Sequence, residues 1–83
     1  MTVNELKDKL TSEKHFTGSL QIVFGVKIPS PDILGIYEEN GVWYVYDTND
    51  RGGIVILDSG SEADMADALY RRILKIEKRY MKK

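Results

Sequence analysis

Between positions 20 and 28, apolar side chains fall on every second residue: Leu20, Ile22, Phe24, Val26 and Ile28 alternate with Gln21, Val23, Gly25 and Lys27. A period of two lets one face of a strand be buried while the other meets water. A strand is therefore predicted over 20–28, closed by the stiff connector Pro29-Ser30-Pro31. Two more strands, 33–38 and 42–47, flank Asn40-Gly41. Asn-Gly suits a type I′ two-residue turn, because both central positions need positive φ. That turn sets the register, with Glu39 opposite Val42, Glu38 opposite Trp43, Tyr37 opposite Tyr44, Ile36 opposite Val45 and Gly35 opposite Tyr46. One face then carries Leu34, Ile36, Trp43 and Val45, and the other Ile33, Gly35, Tyr37, Tyr44 and Tyr46. Helices are expected on the aliphatic-plus-Trp face, leaving the tyrosine-rich face partly wet; the pattern by itself leaves the reverse open. A short fourth strand, 54–57, follows the loop 48–53.

The period lengthens at both ends of the chain. Val3, Leu6 and Leu10 form one stripe at helical spacing, and Thr2 with Glu5 reads as a capping box, so a short helix is expected to end near His15. From 61 to 80, Met65, Leu69, Ile73, Ile76 and Tyr80 recur at helical steps, widened by Ala66, Tyr70 and Leu74. Ser59 or Ser61 can cap this segment. Its acids precede its bases, as the helix dipole favours, and the end at Lys82-Lys83 is expected to fray. Together these elements predict an α+β, two-layer domain: N-terminal helix, four-stranded antiparallel meander, long C-terminal helix. With 83 residues it is a single domain, 1–83, one core with little room for a deep cofactor cleft.

The net charge of −1 hides an uneven distribution. Residues 32–70 hold nine acids against Arg51 alone, and 71–83 hold seven bases against Glu77 alone. Asymmetry on this scale bears on partners more than on fold. No apolar run approaches a membrane span, and the start shows neither the basic nor the apolar region of a signal peptide. A cytoplasmic location is expected, with no membrane association.

An enzyme is not expected. His15 is the sole imidazole and there is no cysteine, which removes a histidine metal pair, a thiolate nucleophile and a cysteine zinc site. Ser59 and Ser61 lack a nucleophile elbow and are explained by capping. Glu38 and Glu39 are strand neighbours and point to opposite faces, so they make no acid–base dyad. Asp47, Asn49, Gly52, Ile54 and Asp58 approach a calcium-loop spacing, but Arg51 stands where a ligand is needed and the flanks read as strands. Gly52-Gly53 lacks the residues of a phosphate cradle. No catalytic, cofactor-binding or metal residues are assigned, and no cofactor is expected.

Two surfaces remain. The basic stretch Arg71, Arg72, Lys75, Lys78, Arg79, Lys82 and Lys83 could follow a phosphate backbone. Its tyrosines fall on or beside the apolar stripe and the rest of the domain is acidic, so nucleic acid is a weaker expectation than protein. The sheet offers Tyr37, Tyr44 and Tyr46, a residue type enriched in interface cores. Glu38, Glu39, Asp47 and Asp50 lie at the rims of the same hairpins, and an acidic collar around aromatic anchors suits a basic partner. The competing readings are that these tyrosines pack under the helices, or that the tyrosine face makes a homodimer.

Positions 34–53 contain Glu39-Asn40-Gly41-Val42-Trp43-Tyr44-Val45-Tyr46 and then Asp50-Arg51-Gly52. This segment resembles the small immunity proteins encoded beside bacterial polymorphic toxins, specifically the group catalogued as immunity protein 59. Its pattern is Glu-Asn-Gly-x-Trp-x-Val-Tyr, an acid-Arg-Gly turn and a closing helix. The close similarity covers about a quarter of the chain; the segment before Leu20 and the basic tail match nothing in the pattern. The resemblance implies a non-enzymatic antitoxin that occludes a cognate toxin. It implies a structural role for Trp43 and makes Asp50 and Arg51, at a hairpin tip, candidates for partner contact or a loop-holding ion pair. The partner-contact residues expected on all these grounds are Tyr37, Glu38, Glu39, Tyr44, Tyr46, Asp47, Asp50 and Arg51, and the expected partner is a basic toxin domain.

Overall fold

The computed structural model describes residues 1–13 and 20–81, with the side chains of Tyr80 and Met81 left aside. His15, the expected end of the first helix beside it, and Lys82-Lys83 lie outside the described residues. Helix α1 spans Val3–Glu13, strands β1 to β4 span Gln21–Phe24, Ile33–Glu39, Val42–Thr48 and Ile54–Gly60, and helix α2 spans Glu62–Met81. The class is α+β, as the periodicities predict.

Both helix starts are capped from the sequence. The Glu5 N–H donates to Thr2 Oγ1 at 3.1 Å and the Thr2 N–H donates to Glu5 Oε1 at 2.8 Å, the reciprocal pair of a capping box. Hydrogen bonds from Thr2, its backbone N–H first and its side chain next, hold the Glu5 carboxyl below its ordinary range. Ser61, rather than Ser59, caps α2: its Oγ accepts from the Asp64 N–H at 3.2 Å. The Val3 N–H donates to Glu62 at 3.0 Å, so the two helices start side by side. Further along, Tyr70 donates to Glu13 at 2.8 Å and Lys9 sits 5.2 Å over the Tyr70 ring.

The hairpin register is the one that Asn40-Gly41 dictates, pair by pair from Glu39–Val42 to Gly35–Tyr46. Asn40 and Gly41 have φ of 54° and 80°, both positive as a type I′ turn requires. The sheet order is β1-β2-β3-β4, but the sheet is mixed and not an antiparallel meander: β1 runs parallel to β2. The strand also stops at Phe24 instead of continuing to Ile28. Gly25, at φ 80°, turns the chain out of the ladder, and residues 25–32 carry it back to the start of β2. A parallel neighbour needs such a return. It can be short here because a four-residue strand is only about 13 Å long.

Strand β4 runs to Gly60, three residues past its expected end, because Leu57 is accommodated as a bulge. Tyr46 pairs with Ile56 while its neighbour Val45 pairs with Asp58. One extra residue on the bulged strand lets pairing resume on the far side.

Apolar burial falls into two clusters. The larger joins Val3 and Leu6 of α1, Leu34, Ile36 and Val45 of the sheet, and Met65, Ala66, Ala68, Leu69 and Ile73 of α2, with Trp43 and Leu57 packed against it. The helices therefore pack on the aliphatic-plus-Trp face. Leu6, Ile36, Val45 and Leu69 are fully buried, each worth about 1.5–3 kcal/mol relative to exposure. The smaller cluster, on the opposite face, holds Val23, Ile33, Tyr37 and Tyr46, with Ile28, Tyr44 and Ile54 against it. Among the described residues, no helix residue enters it. Its cover is the return segment 25–32.

Candidate functional site

The tyrosine-bearing face is divided. On the β1–β2 side, Tyr46 is fully buried and Tyr37 is 8% exposed. The Tyr46 hydroxyl donates to the Val26 carbonyl at 2.8 Å and accepts the Ile28 N–H at 3.1 Å, so one side chain of β3 clips the return segment at two points. Gly35, opposite Tyr46, leaves the room: a Cβ there would stand 2.7 Å from the ring. Burial pushes the Tyr46 hydroxyl above its ordinary pKa, the bond from Ile28 opposing the shift. The Gly52 backbone packs on the same segment, where a Cβ would come 2.9 Å from the Pro29 carbonyl oxygen. Tyr37 and Tyr46, expected on a partly wet surface, are thus interior residues holding the segment down.

The side toward β4 is open. Tyr44 is half-buried and stacks on Tyr37, with ring centroids 5.1 Å apart; Tyr37 meets Tyr46 edge-on at 5.5 Å. Lys27, 5.0 Å over the Tyr37 ring, closes the covered side. On the open side, Val42 is 38% and Ile56 is 46% exposed. Val42 lies across the ladder from exposed Glu39, and Glu38 is exposed at the same tip. The result is an aromatic ring on rigid strands, with apolar neighbours and acids at one end. Val42 and Ile56 went unnoticed in the sequence; Val42 could have been found, since it follows the Asn-Gly turn on the Tyr44 face.

The remaining expected residues stand elsewhere. Asp50 and Arg51 are exposed at the tip of the β3–β4 hairpin, at the other end of β3 from Glu38 and Glu39, roughly 20 Å away along seven residues. A single acidic collar is therefore not formed. No ion pair joins Asp50 to Arg51 among the described residues. That loop is held by Asn49, whose Oδ1 accepts from Arg51 N–H at 2.9 Å and Gly53 N–H at 2.8 Å. Asp47, half-buried on the helix-bearing face, lines a cleft of about 320 Å³ with Leu34, Leu57, Ile76, Arg72, Lys75 and Arg79. Trp43 packs beside the helices, in line with a structural role.

No helix among the described residues is long and apolar enough to cross a membrane. Comparison with protein-family models, curated proteins and solved structures finds no match to this chain.

Proposed function

We propose that this chain is a non-enzymatic protein-binding domain of the immunity type, acting in the cytoplasm by covering a basic site on a cognate toxin. The observation that carries this reading is the open half of the tyrosine-bearing face, where Tyr44 and Val42 stand on a pinned hairpin beside Glu39, with Glu38 on the other face of the same tip. Tyrosine is a favoured anchor in interface centres, presenting a large rigid surface at low entropic cost. Acids beside it steer a basic partner into contact. In this reading the domain is a two-layer unit whose helices back the sheet, so that the uncovered half of the opposite face is free to dock. The resemblance of positions 34–53 to toxin-associated immunity proteins supports the same assignment, and a toxin acting on nucleic acid would supply the basic surface.

The test is growth protection. Cells arrested by the toxin domain encoded beside this chain are expected to recover when the wild-type chain is co-expressed. Reversing Glu38 and Glu39 to lysine is expected to slow capture at least tenfold, by loss of electrostatic steering, and to weaken protection accordingly. Absence of protection by the wild-type chain would overturn the proposal. So would salt-sensitive nucleic-acid binding that disappears on neutralising Arg71, Arg72 and Lys75, which would move the function to the basic helix.

A further inference from the structure

Strand β4 is an edge of the sheet, and among the described residues nothing pairs with its outer side. Natural edge strands are commonly blunted by lysine, proline or inward-pointing charge, because their free N–H and C=O groups template association. Residues 54–57 are Ile-Val-Ile-Leu. Val55 is 44% and Ile56 46% exposed, two β-branched side chains in water along unpaired backbone. The Leu57 bulge interrupts the ladder and leaves 54–56 as its regular stretch on the loop side.

We propose that the occupant of this edge is a second copy of the chain, its β4 paired antiparallel across a two-fold axis at Val55. The axis stands normal to the sheet and keeps both sets of helices on one side, so only residues of like facing can oppose each other. Val55 pairs with Asp47 and faces the helices, whereas Ile54 and Ile56 pair with Thr48 and Tyr46 and face away. With Val55 on the partner's Val55, each Ile54 meets the partner's Ile56, and every contact is apolar. Moving the register one permitted step toward the C-terminus centres it on Ile56 and draws the Leu57 bulge into the pairing. Moving it the other way sets Val55 against Gly53. Such a contact is isologous and closes on itself, consuming both β4 edges.

The chain has no cysteine, so single cysteines report the register. Opposed residues in an antiparallel pair lie about 4.5–5.5 Å apart between Cα atoms, within the reach of a disulfide. Under mild oxidation Val55→Cys is expected to give a covalent dimer. Ile56→Cys, offset from its own copy beyond the ~7 Å limit, is expected to stay largely uncrosslinked. In sedimentation velocity over a concentration series the wild-type chain is expected to dimerise. Val55→Lys is expected to be monomeric, with its far-ultraviolet circular dichroism unchanged. A wild-type chain that stays monomeric, a dimer that survives Val55→Lys, or equal crosslinking at both positions would overturn the proposal. The toxin need not be present, so the outcome is independent of the proposed function.

Discussion

Tyr46→Ala is expected to remove about 3–5 kcal/mol of stability, as for other large-to-small aromatic changes in a core. A domain of 83 residues has roughly 4–12 kcal/mol in all, so this variant stands near the limit of folding. The cause is specific to the mixed sheet. The ring fills the space that Gly35 leaves, and its hydroxyl makes the two bonds that clip residues 25–32 over the second cluster. Urea denaturation of Tyr46→Ala beside Tyr46→Phe separates the contributions. The phenylalanine variant keeps the ring and leaves the Val26 carbonyl and Ile28 N–H without their partner, an expected cost of about 1–3 kcal/mol. No measurable cost in that variant would show that the hydroxyl does not hold the segment. The pH dependence has a definite sign. Burial raises the hydroxyl pKa of the folded state above the ordinary 10.0, so the stabilisation is complete below pH 10 and is lost as pH rises through the higher folded value. Tyr46→Phe should lack that alkaline loss.

Gly52→Ala is expected to cost roughly 2–5 kcal/mol, the sum of two separate penalties. Its φ of 79° is left-handed, which any side chain pays for, and its Cβ would stand 2.9 Å from the Pro29 carbonyl oxygen. Gly41→Ala is the matching control, since Gly41 has φ 80° and nothing within 4 Å of its Cβ position. It should pay only the backbone part, about 1–2 kcal/mol. Thermal melting of the pair gives the difference. Equal losses would mean that the β3–β4 turn does not pack on the return segment. This contact also explains why an acid-Arg-Gly turn requires its glycine, whatever Asp50 and Arg51 do.

The hairpin and its register were legible because each follows from a local rule: Asn-Gly fixes the turn, and alternation then fixes which residues share a side, though not which side the helices cover. The direction of β1 was not legible. Alternation at 20–28 is the same for a parallel and an antiparallel strand, and only the length of 25–32 hinted at a return. Tyrosine suits a wet face as well as a dry one, so the burial of Tyr46 depended on knowing what crossed above it. The run Ile54-Val55-Ile56-Leu57 has no period to interrupt, which concealed the bulge and with it the two exposed side chains of the edge. The separation of Glu38 and Glu39 from Asp50 and Arg51 was within reach, since successive hairpin turns lie at opposite ends of the strand they share.

The open half-face is tested most directly by calorimetric titration of the cognate toxin domain into the wild-type chain and into Tyr44→Ala. Tyr44 stands at the centre of that surface, and truncating an aromatic anchor of this kind costs about 2 kcal/mol or more, which is roughly a thirtyfold rise in Kd. The expected result is tight one-to-one binding by the wild-type chain and a loss of that size in Tyr44→Ala, with the circular dichroism unchanged. Equal affinity for the two chains would place the partner elsewhere and contradict the assignment.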